Sequence, residues 1–277
     1  YTAARYAVNH GFEPIAYSAV RFAIGAAIFV GLVLWREGSL RIARCHIVYL
    51  VPAALVGVVL NQLSFNYSVS LTDAAVVALI FGTLPIFTAI FTMLLGWESL
   101  STRHWVATGV SFAGVALVAL GVSGRLSADL GGVLLAVVAS ASFAVFSVYV
   151  GRLMQHYSVY RVTAVVVLAG TIPLLLIASP QIAGMDWGAL EPLAWSAFGY
   201  VVFMFVATTY LWFIAIERVG APHATLWANL QPFIGALFAV LILSENLVVM
   251  QIAGGIVIAI SIALARSRRQ PITPGLD

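Results

Sequence analysis

The stretch ALIFGTLPIFTAIFTMLLGWESL (78–100) occurs a second time, diverged, as TLWANLQPFIGALFAVLILSENL (225–247). No other feature constrains the chain as much. Seven of the 23 aligned positions are identical, where about two are expected by chance in so apolar a composition. Pro85 falls on Pro232, Phe91 on Phe238 and Glu98 on Glu245. Each copy is long enough to cross a bilayer as a helix, with a proline at mid-depth. Proline frees a carbonyl that lipid cannot satisfy, so both helices are expected to be surrounded by protein and kinked at Pro85 and Pro232.

The offset of 147 residues (232 minus 85) holds well beyond this helix and needs no gap. Arg5 falls on Arg152, Ala74 on Ala221, Val110 on Val257 and Leu117 on Leu264. The chain therefore reads as one unit of five hydrophobic segments used twice. A chain that is 62% hydrophobic and 8% charged cannot make an ordinary soluble domain, which leaves a polytopic membrane protein. Its single cysteine, Cys45, excludes an internal disulfide. All 13 basic residues are arginine, and they form no basic face interleaved with aromatics, so no nucleic-acid partner is expected.

Residues 1–9 are too short to span, but their repeat partner ends a full segment at 130–152. The first helix is thus expected to begin roughly twenty residues before Tyr1, truncated here at the N-terminus. Further segments are expected near 14–35, 46–69, 73–97, 102–122, 130–152, 159–179, 194–217, 220–243 and 247–265. The fold class is an all-α membrane protein, with ten transmembrane helices in two inverted five-helix repeats. The first repeat covers 1–122 and the second 123–266, followed by a disordered cytoplasmic tail at 267–277.

Arginine placement sets the orientation. Arg36, Arg41, Arg44, Arg103, Arg152, Arg161, Arg218, Arg266, Arg268 and Arg269 fall on one side, and only Arg125 lies in the opposite loops. The arginine-rich side is cytoplasmic, and both termini with it. Five helices per half make the halves enter the membrane in opposite directions, the arrangement that supports alternating access around one central site.

Every acid lies at a helix end, in a loop or in the tail, and only Arg21 lies clearly within a span. Arg21 is expected to hold helices together rather than to bind a carboxylate. Glu98 is expected to cap the helix that follows it. Trp35, Trp97, Trp105, Trp187 and Trp195 fall at the membrane interfaces as belt anchors, whereas Trp212 and Trp227 lie deeper. With no acid at mid-depth, transport without obligatory proton coupling is expected, His223 being the main threat to that view.

In an inverted repeat the substrate site lies near the midplane, where equivalent helices meet. The offset pairs Asn61 with Thr208, and Thr83, Ser140 and Ser142 lie at corresponding depth. Further along, His223, Trp227 and Gln231 are four residues apart and share one face, while Asn229 points elsewhere. These residues, with Trp212, are the candidate substrate-binding set. Neutral hydrogen-bonding groups beside an indole suit a zwitterion with an apolar side chain.

No His-Glu-x-x-His, no clustered metal ligands and no Ser-His or Asp-Asp pair lies at membrane depth, so neither an enzyme nor a metal or cofactor is expected. The expected partners are a small-molecule substrate and the lipid bilayer. Ala107 with Ser111, and the stripe Gly255, Ala259, Ala263, suit close helix packing within a monomer or in a weak homodimer.

Three stretches carry a family resemblance: AYSAVRFAIGAAIF (16–29), the helix ends LLGWESL and LILSENL, and AIERVGAPHATLWANLQPFIGAL (215–237). The chain resembles the drug/metabolite transporter superfamily of the EamA-domain type, and within it exporters of aromatic amino acids of the YddG type. Many such relatives carry a glutamate just before the proline of the ninth helix; here the position is Gln231. The resemblance implies an inner-membrane exporter of small metabolites, amino acids including aromatic ones. A multidrug exporter of lipophilic cations is the alternative, and a nucleotide-sugar or sugar-phosphate carrier a further one. Lipophilic cations want a buried carboxylate and phosphates want several buried basic groups, and neither is visible.

Overall fold

The computed structural model describes residues 11–121, 129–235, 237 and 248–265, all of whose regular structure is helical. The first expected segment, the end of the ninth with Phe238 and Glu245, Arg125 and the tail lie outside the described residues. Helix α1 (Pro14–Glu37) begins with proline in its first turn, where the missing N–H costs no helical bond. It ends at Gly38, whose φ of 66° lets its N–H reach the carbonyls of Val33 and Leu34.

Next comes one unbroken helical run, Arg44–Leu71. It passes from a 3₁₀ turn (Arg44–His46) into α2 (Ile47–Ala54), a π-helical stretch (Leu55–Leu60) and α3 (Asn61–Leu71). The π stretch follows Pro52, which removes a ladder donor from α2. A wider turn re-aims the side chains after it, beginning with Asn61. Close packing holds this stretch. A Cβ on Gly57 would lie 2.4 Å from Cβ of Phe146, and one on Gly170 would lie 2.6 Å from Cβ of Val58.

The remaining helices are α4 (Ala74–Phe81), α5 (Leu84–Leu94), α6 (Thr102–Leu120), α7 (Leu130–Leu153), α8 (Val159–Gly184), α9 (Pro192–Val219), α10 (Ala221–Ala228) and α11 (Val249–Ala265). Side chains of Ser101, Asp129 and Ser158 cap α6, α7 and α8. Seven helices among the described residues are long and apolar enough to cross a membrane, and α11 is a shorter apolar helix.

Two segments that read as single helices are broken. The span 75–94 breaks at Gly82–Thr83, between α4 and α5, and the later one breaks at Asn229–Leu230, after α10, before helical structure resumes at 231–235. Pro85 and Pro232 therefore fall in the first turn of a new helical piece, where proline is tolerated, instead of kinking a continuous helix. The bounds of α4 and α10 differ by 147 at both ends (221 − 74 and 228 − 81), and so do the starts of α6 and α11 (249 − 102).

Helix α7 lies at the centre, against the Arg44–Leu71 run, α4 and α5, while α1 pairs with α8 and α6 with α11. Phe22, Phe29, Val58, Phe146, Val166 and Phe213 belong to the main apolar core. At the end opposite the arginines, Phe12, Tyr17, Trp187, Trp195 and Phe198 form an aromatic cluster, with Phe12 stacked 5.0 Å from Phe198. The α6–α11 crossing is tight because a Cβ on Gly254 would lie 2.6 Å from the Gly114 carbonyl oxygen. In the expected stripe only Gly255 is buried, under Phe233, and Ala259 and Ala263 stay exposed. Helix α9 is the least packed: 17% of its span is buried, against 50% for α7 and α8. At the arginine-rich end, Glu37 pairs with Arg161 at 2.9 Å and accepts from the Ser158 hydroxyl, and Arg36 donates to the Tyr160 hydroxyl, tying α1 to α8.

Candidate functional site

At mid-segment depth the two helix breaks face each other through a seam of neutral polar groups. After Gly82 the chain turns as a 3₁₀ step, with Ile86 N–H bonding to Thr83 rather than reaching back to Gly82. The Gly82 carbonyl is thereby released, and the Asn229 amide donates to it at 3.1 Å. The same amide nitrogen lies 2.9 Å from the Ser111 hydroxyl on α6. Across the break, the Thr83 hydroxyl donates to the Ile80 carbonyl and lies 3.3 Å from the Ser140 hydroxyl on α7. One turn of chemistry further, Asn61 donates to the Ala139 carbonyl at 2.8 Å. Asn61, Ser111, Ser140 and Asn229 are all buried. Buried polar groups at this depth must be satisfied by protein, and here backbone carbonyls of Ala139 and Gly82 and neighbouring hydroxyls satisfy them.

Of the sequence-predicted set, the structure thus brings Asn61, Thr83 and Ser140 together, with Ser142 buried on the same helix. The others are dispersed. Thr208 is exposed and donates to the Met204 carbonyl of its own helix. Trp212 packs its ring 5.4 Å from Phe143, and its buried indole N–H has no hydrogen-bond partner among the described residues. Trp227 and Gln231 are exposed. The His223 ring lies edge-on, 5.1 Å from the buried ring of His104. Arg21 rests its guanidinium against the rings of Tyr17 and Phe22 of its own helix and of Phe205 on α9, the last at 5.1 Å.

By helical spacing Asn229 lies off the face shared by His223, Trp227 and Gln231. It is nevertheless the side chain that links the two breaks. The signal was present in the repeat: Asn229 and Gly82 are counterparts at the 147-residue offset.

A cleft of about 290 Å³ opens at the arginine-rich end, between the ends of α5, α7 and α9 and the start of α10. Trp97, Glu98, Arg152, Gln155, Glu217 and Gly220 contribute to its lining. Here the expected role of Glu98 is corrected. Ser101 caps α6 by accepting the His104 N–H at 3.3 Å, and Glu98 faces the cleft instead. Trp97 is held between Tyr49 and Tyr149 and carries the Arg152 guanidinium 5.5 Å from its ring. Glu98 is exposed as a residue, but partial burial of its carboxyl in the cleft pushes it above the usual carboxylate range, an effect the nearby His223 partly offsets. Among the described residues no group of three or more His, Cys, Asp or Glu side chains could hold a metal ion.

Comparison with known proteins follows the same architecture. A solved crystal structure superposes with a TM-score of 0.77 at 19% identity, covering 95% of this chain and 90% of the other, which establishes a shared fold. An uncharacterized transporter of Archaeoglobus fulgidus is 22% identical over 97% of this chain and 94% of its own length. The uncharacterized inner membrane transporter YedA of Escherichia coli strain K12 is 28% identical over 82% of this chain and 72% of its own. Residues 1–120 and 130–267 each match the family model described as the EamA-like transporter family. With nearly its whole length matched in two blocks, and with the helical architecture to go with them, the chain belongs to the EamA-like transporter family.

Proposed function

We propose that this multi-pass membrane transporter exports amino acids, aromatic ones included, across the inner membrane by alternating access. Its ten helices would form two inverted five-helix repeats, residues 1–122 and 123–266. The observation that carries this reading is the pair of mid-segment helix breaks, Gly82–Thr83 and Asn229–Leu230, which fall 147 residues apart and are joined by a hydrogen bond. Broken helices meeting at mid-depth are how secondary transporters place unsatisfied backbone at a substrate site. Neutral groups suit a zwitterion: Asn61, Thr83 and Ser140 offer donors and acceptors without a fixed charge. A resident carboxylate for lipophilic cations, or a cluster of basic groups for phosphates, does not accompany them at that depth among the described residues.

Counterflow in proteoliposomes tests the proposal. Vesicles loaded with unlabelled phenylalanine, tryptophan or leucine should accumulate the labelled amino acid from outside, and Asn61→Ala should slow it at matched incorporation. Counterflow of a lipophilic cation or a sugar nucleotide, with none of the amino acids, would overturn the substrate assignment.

A further inference from the structure

We propose that the cleft at the arginine-rich end is a loading site for the α-amino-acid zwitterion, distinct from the mid-depth seam; this rests on the amino-acid reading above. Its volume of about 290 Å³ lies at the small end of ligand pockets, which run from about 300 Å³ to 1,000 Å³. That favours a single amino acid over a drug or a sugar nucleotide.

The lining carries both signs in an arrangement that a zwitterion completes. Arg152 donates to Gln155 at 2.6 Å and lies over Trp97, but its buried Nε has no hydrogen-bond partner among the described residues. A guanidinium with an orphaned buried donor favours a planar, bidentate acceptor, which an α-carboxylate supplies. The start of α10 adds to this. Gly220, Ala221 and Pro222 line the cleft; the Gly220 N–H is taken by the Ile216 carbonyl and Pro222 has none, so the start of α10 offers an anion the Ala221 N–H and the partial positive charge of a helix N-terminus.

Opposite in sign, Glu98 and Glu217 both line the cleft, and each can accept from the α-ammonium. Gly220 sets the turn on that side. Its φ of 81° and ψ of 157° disfavour any residue with a side chain, and a Cβ there would lie 3.9 Å from Oε1 of Glu98. Val148, Met154 and Ile216 provide apolar wall for the substrate side chain. Two carboxylates against one guanidinium repel a phosphate or a dicarboxylate, while a bare cation would leave the Arg152 Nε without an acceptor. The arginine asymmetry places this cleft on the cytoplasmic side, where an exporter must collect its cargo.

The test is sidedness. Purified protein is reconstituted and sorted by orientation, and the KM for labelled phenylalanine is measured at each face. Arg152→Gln should raise KM at the arginine-rich face about tenfold or more, the loss of a charge-assisted contact, and leave the opposite face within about twofold. Arg152→Lys should recover part of the loss, and Glu217→Gln should weaken the same face. Without any variant, phenethylamine and N-acetylphenylalanine, each lacking one of the two charges, should compete poorly at that face on the wild-type protein. Equal KM changes at both faces, or strong competition by either analogue, would overturn the loading site and leave amino-acid export standing. A wild-type protein that moves no amino acid from either face would remove both.

Discussion

Asn229 donates its side-chain amide to the backbone carbonyl of Gly82, the residue 147 positions before it, at 3.1 Å. The two residues hold the same place in the two sequence copies, so the bond joins the copies at their matching helix breaks. The bond also solves a local problem. The break before Pro85 releases the Gly82 carbonyl at a depth where water is scarce, and Asn229 supplies the donor. Asn229→Ala is expected to destabilise the protein by about 1–3 kcal/mol, since the buried carbonyl loses its partner. Asn229→Asp should cost more, because a carboxylate offers that carbonyl no donor unless protonated. Thermal unfolding in detergent, at matched lipid content, checks both. Wild-type melting temperatures would mean that the seam is held elsewhere.

Gly57 provides a contrast between close approach and mere flexibility. Its Cβ position is 2.4 Å from Cβ of Phe146, so Gly57→Ala forces the Arg44–Leu71 run away from α7 and should cost about 1–3 kcal/mol. Gly31, with nothing among the described residues within 4 Å of its Cβ position, is the control. Gly31→Ala should be neutral, or stabilising by about 0.5–1 kcal/mol through helix propensity. Melting temperatures of the pair in one detergent decide the matter.

The Glu98 carboxyl, raised by burial, gives a pH dependence with a definite sign. Between its unfolded and folded pKa values the native protein holds a proton that the unfolded chain has released. Stability from this group is therefore complete below the ordinary carboxylate range and is lost as pH rises through the raised value. Glu98→Gln should flatten the pH profile of the melting temperature in that window. A substrate ammonium favours the ionised carboxylate, so amino-acid affinity should move the opposite way and strengthen as pH rises through the same window. Titration of both quantities in wild type and Glu98→Gln is the measurement, and parallel profiles in the two proteins would refute the link.

Cys45 is exposed beside His46, whose Nδ1 lies 2.8 Å from the Tyr157 hydroxyl, and the Ala43 N–H donates to that same hydroxyl. A membrane-impermeant thiol reagent should label Cys45 only after permeabilisation, as the arginine asymmetry requires. Labelling in intact cells would reverse the orientation, and with it the side on which the Arg152 cleft opens.

Much of this architecture is legible along the chain. The 147-residue offset between Pro85 and Pro232 reappears in the bounds of α4 and α10, which differ by 147 at both ends, and hydropathy alone marks the long spans. Both signals survive because they are recorded along a single helix, where spacing and periodicity set what faces the same way. Which groups meet across helices was decided only in three dimensions. Along its own helix Asn229 lies off the face of His223, Trp227 and Gln231, and only the packing of the other helix break against it gives its amide the Gly82 carbonyl. Likewise Glu98, Arg152 and Glu217 read as helix-end and topology residues, being 54 and 65 positions apart in the chain (152 − 98 and 217 − 152). They line one cleft because α5, α7, α9 and α10 converge there. Such convergence depends on how closely the backbones approach at Gly151, whose Cβ position lies 3.3 Å from Cγ2 of Ile216 on α9 and 4.0 Å from Cβ of Ala221 on α10, a matter of crossing geometry that no periodicity within a single segment encodes.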